Sequence, residues 1–119
     1  MAVDNEKWDK IRLGYLSQLA GETSLERIDG LGKTIELLDA CQVSEILRHL
    51  TPYRSLVRFG LWRYDPYERE KMDEFVCLYF HEGRYTVSSY DYGEKRYFEN
   101  AQAAIDFVEQ KLNKDNPFV

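Results

Sequence analysis

The chain has 119 residues, 44% of them hydrophobic and 31% charged, which excludes a largely disordered polymer and fits one globular domain. Sixteen basic residues against twenty-one acidic ones leave a formal charge of −5. Phosphate-backbone binding rests on a basic footprint, so it is not expected as the main activity.

Asp4 or Asn5 is placed to cap a first helix that runs to about Ala20. Trp8, Ile11, Tyr15, Leu16 and Leu19 recur at helical spacing and define its buried stripe. Gly21 stops it. Thr23 with Glu26 fits a capping box, so a short helical turn is expected through Arg27 to Asp29, broken by Gly30 and Gly32. A second long helical stretch over 33–50 carries Ile35, Leu38, Cys41, Ile46, Leu47 and Leu50. Its phase slips near Gln42 and Val43, which allows two helices with Ser44 capping the second. Thr51-Pro52 ends it.

From Ser55 the period changes to two. Leu56 to Tyr64 alternates, with Val57, Phe59 and Leu61 on one face and Arg58, Gly60 and Trp62 on the other. The charged segment 65–74 reads as a surface loop. Phe75 to Phe80 is a nearly continuous apolar run, the pattern of a strand covered on both faces. His81 to Arg84 reads as a tight hairpin, because Gly83 can take positive φ. A strand from Tyr85 to Tyr90, a turn over Asp91 to Glu94 and a brief strand over 96–99 follow. Asn100 caps a last helix to about Asn113, with Ala101, Ala104, Ile105, Val108 and Leu112 inward. The expected fold is therefore a single α+β domain. Two or three N-terminal helices (1–52) precede a four-stranded antiparallel meander (53–99), a C-terminal helix packed on one sheet face (100–113) and a tail (114–119).

That helix is expected on the face of Val57, Phe59, Leu61, Val76, Leu78, Phe80 and Val87. The opposite face presents Trp62, Tyr64, Phe75, Tyr79, Tyr90 and Tyr97, and the alternation adds Arg58 and Arg84. Tyr, Trp and Arg are enriched in binding hot spots, since they bury much surface and keep a polar tip. Arg58, Trp62, Tyr64, Tyr79, Arg84, Tyr90 and Tyr97 are thus the candidate partner-binding residues, and the turn Ser88 to Tyr92 could contribute. The reading that ranks first makes this face a second core under the N-terminal helices. A protein-binding face comes next, and a small-ligand or base-stacking face last.

Other motifs read more plainly as structure. Gly30-Leu31-Gly32-Lys33-Thr34 resembles the end of a phosphate loop, but Arg27 stands where the pattern needs glycine and no buried strand precedes it. Cys41 and His49 are eight residues apart, about 12 Å along a continuous helix, too far to share zinc. No metal or cofactor site is expected, and the carboxylates form no acid–base constellation. Cys41 and Cys77 make no disulfide framework and sit in apolar contexts as core thiols. With no secretory pattern at the start and no apolar run of ~20 residues, the expectation is a cytoplasmic protein off the membrane.

No catalytic constellation is visible, so the leading expectation is a non-enzymatic interaction module acting by stoichiometric binding. Its concrete version is an inhibitor or immunity-type protein for a basic partner such as a nuclease toxin. The alternative is a small anionic-ligand-binding protein or enzyme. Its pocket would lie between sheet and helices, with Arg58, Arg84 or Arg96 holding the anion. A homodimer through the aromatic face or the edge at 96–99 is a third possibility.

Overall fold

The computed structural model describes residues 4–63 and 74–119. Two helices, α1 (Asn5–Ala20) and α2 (Leu25–Val43), precede a single 3-10 turn over Leu47–His49. Five strands follow: β1 (Thr51–Ser55), β2 (Arg58–Trp62), β3 (Glu74–His81), β4 (Arg84–Ser88) and β5 (Lys95–Phe98). Helix α3 (Ala101–Lys111) comes last. Every strand pairs antiparallel with its sequence neighbours, in the spatial order β1-β2-β3-β4-β5. The α+β class and the meander are as the sequence predicts, with five strands instead of four.

The caps explain the helix starts. The Asp4 carboxylate accepts from the Lys7 amide, and the Asn100 side chain accepts from the Ala103 amide. Ser24, one residue after the expected Thr23, caps α2. The Ser44 hydroxyl accepts from the Ile46 and Leu47 amides and opens the 3-10 turn, so the phase slip at 42–43 is a real break.

The glycines are a correction. Gly30 and Gly32 do not interrupt α2, which runs through both. Glycine costs about 1 kcal/mol against alanine in a helix interior, but buried Leu31, Thr34, Ile35, Leu37, Leu38 and Cys41 override it by packing. The Thr34 hydroxyl donates to the Gly30 carbonyl and accepts from the Phe80 amide, tying α2 to β3. The Gly-Lys-Thr sequence is therefore mid-helix, and its amides are not free for phosphate.

A second correction concerns the first strand. The expected strand 56–64 is in fact the second arm of a hairpin, with β1 before it and a two-residue turn at Leu56-Val57. Leu56 holds φ at 56° and is 83% exposed, and Val57 is exposed with it, not part of the core face. The next hairpin turn, Glu82-Gly83, has positive φ at both positions, the arrangement of a I′ turn.

One core lies between the helices and one sheet face. Phe59, Leu61, Val76, Leu78, Tyr85 and Val87 meet Trp8, Tyr15, Leu37, Leu38, Ile105 and Val108 there. Helices α1 and α2 pack on the same side as α3. The N-terminal helices thus do not cover the aromatic face, contrary to the reading ranked first from sequence. A register shift after Leu61 sets Trp62 opposite Glu74 and skips Phe75. This bulge turns Phe75 into the main core, away from the aromatic face on which alternation placed it. The tail is docked too: Phe118 is buried, and its carbonyl accepts from the Arg96 guanidinium at 2.6 Å.

Candidate partner-binding face

The helix-free face follows from the register. Phe59 faces Leu78, which brings Arg58 beside Tyr79; Tyr79 faces Thr86, and Thr86 faces Tyr97. One cross-strand row therefore carries Arg58, Tyr79, Thr86 and Tyr97. The neighbouring row carries Tyr53, Gly60, Cys77, Ser88 and Lys95. Trp62 and Glu74 begin a third.

These residues hold one another with none of the described helices above them. The Tyr53 ring lies over Gly60, where any Cβ would collide with it, and packs edge-on against Trp62 at 5.4 Å. The connection from β4 to β5 folds back over the same face. The Ser89 amide donates to the Glu94 carbonyl, and the Asp91 carboxylate accepts from the Ser89 hydroxyl and the Gly93 amide. Those two donors hold the Asp91 carboxyl below its ordinary value. The turn sets the Tyr92 ring 5.9 Å from the Tyr79 ring and 4.3 Å from the Arg58 guanidinium, with Tyr90 on the same guanidinium at 5.4 Å. Arg58 Nη1 donates to the Tyr90 carbonyl at 3.0 Å and to Cys77 Sγ at 3.2 Å.

Cys77 is the polar centre of this layer. It donates to Glu74 and lies 3.5 Å from the Tyr53 hydroxyl. Burial, then the neighbouring carboxylate, push its thiol up to about 12, so it is protonated at neutral pH and is no nucleophile. Burial also raises the Cys41 thiol. Both cysteines are free.

Of the residues singled out from sequence, Arg58, Tyr79 and Tyr90 form one cluster, and Arg84 stacks on Tyr97 at 3.9 Å. Trp62 joins through Tyr53, not through the arginines. Tyr64 lies outside the described residues. Tyr53 and Lys95 were missed, and Tyr92 entered only as part of a turn. The signal for Tyr53 was Gly60, a glycine inside a strand, which marks a close approach. Tyr90, Tyr92 and Tyr97 are exposed.

A groove lies on the other side, where the start of α2 meets the hairpin turns. It encloses about 470 Å³ over an apolar floor that includes Leu31, Val57 and Phe80. Its rim carries Glu22, Glu26, Asp29 and Glu82 against Arg27 and His81. None of Arg58, Arg84 and Arg96, the residues offered for an anionic ligand, lines it. Among the described residues no group of three or more His, Cys, Asp and Glu comes together to hold a metal ion. No described helix is long and apolar enough to cross a membrane.

No family model, curated protein or solved structure matches this chain.

Proposed function

We propose that this protein is a non-enzymatic cytoplasmic interaction module that binds a partner protein stoichiometrically through its helix-free sheet face. The observation that carries the reading is composition by location. Tyr53, Trp62, Tyr79, Tyr90, Tyr92 and Tyr97 gather with Arg58 and Arg84 on the sheet face that none of the described helices covers. Aromatic and arginine side chains at this density supply area and polar tips together, as binding anchors do. The protonated Cys77 thiol is no activated nucleophile, which fits binding through this face better than catalysis on it.

The test is affinity capture from host extract with the wild-type chain and with a Tyr90→Ala, Tyr97→Ala double variant of unchanged melting temperature. A protein retained at one-to-one stoichiometry by the first and lost from the second supports the reading. Equal retention by both moves the site elsewhere. Light scattering on the pure chain separates self-association from binding to another protein.

A second reading is favoured by the groove. Its four rim carboxylates and apolar floor suit the basic side chains of a target enzyme. That is the form an inhibitor or immunity-type protein for a nuclease toxin would take. Charge-steered binding of this kind weakens with salt, and a Glu26→Gln, Asp29→Asn variant would slow association while leaving the sheet face intact.

A further inference from the structure

The turn between β1 and β2 places a strained residue in solvent. Leu56 holds φ at 56°, a backbone that glycine adopts freely and a side chain at Cβ resists. No packing among the described residues offsets that strain, because Leu56 is 83% exposed. Its neighbour Val57, also exposed, lines the groove beside α2 together with Leu31 and Phe80. Leu25, as exposed as Leu56, stands between Ser24 and Glu26, which line the same groove. Strain kept at an exposed apolar residue argues for a contact from outside the chain. Apolar side chains set around a cavity, beyond its own lining, offer more surface than a small ligand covers.

The charges at the groove are not balanced within the fold. Of its four carboxylates, Glu22 is met by Arg27 at 3.8 Å and Asp29 by Lys33 at 3.6 Å. Among the described residues Glu82 meets only His81, which is cationic only when protonated, and Glu26 has no cation at ion-pair distance. Arg54, on the α1 side, donates to Gln18 and stacks on the Tyr15 ring. Lys33 shows what the groove accepts. Its ammonium stands 5.4 Å from the centre of the Phe80 ring while it pairs with Asp29.

Resting on the groove reading above, we propose that the partner enters this groove with a basic amphipathic segment. One apolar side chain of the segment seats on Leu31, Val57 and Phe80 and packs against Leu56. Lysine or arginine side chains on either side of it meet Glu26 and Glu82. A membrane is the less suited apolar occupant, since the rim carboxylates repel the anionic surface of a bilayer.

The test uses the whole chain, labelled for NMR, and three blocked hexapeptides. They alternate leucine with lysine, leucine with glutamate, and serine with lysine. The expected result is that the leucine–lysine peptide alone moves the amides of Leu31, Thr34, Val57 and Gly83. Leu56→Gly should raise the melting temperature and yet weaken that binding about tenfold, the loss of one partly buried leucine contact. Glu26→Gln combined with Glu82→Gln should weaken it about fivefold and flatten its salt dependence. If the serine–lysine peptide binds as tightly as the leucine–lysine one, the apolar anchor is wrong while the groove reading stands. Movement of these amides by the leucine–glutamate peptide overturns the proposal, as does unchanged affinity in either variant. If no peptide moves the groove, the proposal and the groove reading fall together and the sheet-face reading is untouched.

Discussion

The two faces of the sheet share five strands and are closed by different means. On the helix side, Phe59, Leu61, Val76, Leu78 and Val87 lock aliphatic surface against three helices, and the layer is continuous. On the other side, tyrosine rings lean on guanidinium groups and on each other, with a turn as the only cover that the described residues supply. The first face uses apolar burial, which is indifferent to partner and grows with area. The second uses directional contacts that leave Tyr90, Tyr92 and Tyr97 exposed, and exposed aromatic side chains offer a partner area and polar tips together. Stability is therefore expected to reside on the first face and recognition on the second.

Substitutions can break that division. Phe59→Ala empties a fully buried site on the helix side and should lower unfolding free energy by about 3–5 kcal/mol in urea titration. Gly60→Ala, one residue along on the other face, forces the Tyr53 ring off the strand. A cost of about 1–3 kcal/mol is expected, with a change in the near-ultraviolet signal of Trp62. A cost as large as that of Phe59→Ala would show the aromatic layer to be a true second core. Leu56→Gly works in the opposite direction. It relieves a left-handed backbone at an exposed position and should stabilise by up to about 1 kcal/mol in the same titration.

Protons sharpen the contrast further. Burial raises the Glu74 carboxyl above its ordinary value of 4.5, partly offset by the Cys77 hydrogen bond. The folded state then holds that proton more tightly than the unfolded one. The contribution of this group is full below 4.5 and is lost as pH rises through the folded value, a slope that Glu74→Gln should remove. Stability measured from pH 4 upward in both proteins checks it. The smallest effect is expected for Arg84→Ala, within about 0.5 kcal/mol, because the residue is exposed and, among the described residues, its side chain contacts the Tyr97 ring alone.

Much of this was legible without coordinates, and the failures have physical causes. Asp4 and Asn100 each stand before a clean helical stripe, and both ends came out where the caps put them. Alternation placed Arg58, Trp62, Tyr79, Arg84 and Tyr97 on one face because a pleated strand has no other choice. The glycines of α2 misled because propensity is weak against six buried side chains. Leu56 and Val57 misled because apolar residues in a turn imitate strand. Phe75 changed sides through a bulge, which no period reveals. Phe118 docks from an irregular tail, where no periodicity exists to read.

The meander order has a kinetic consequence. Each strand pairs with the next in sequence, and two of the four connections are two-residue turns, so these pairings close small loops. Loop closure is the entropic toll on forming a sheet, and it rises with chain separation. Either tight hairpin can serve as a starting point from which neighbouring strands add in sequence. The pairing of β2 with β3 must span the longer connection, and α1 must find β1 from the far side of α2. Rate-limiting assembly should therefore involve that central pairing and the docking of α1, with the two hairpins formed early.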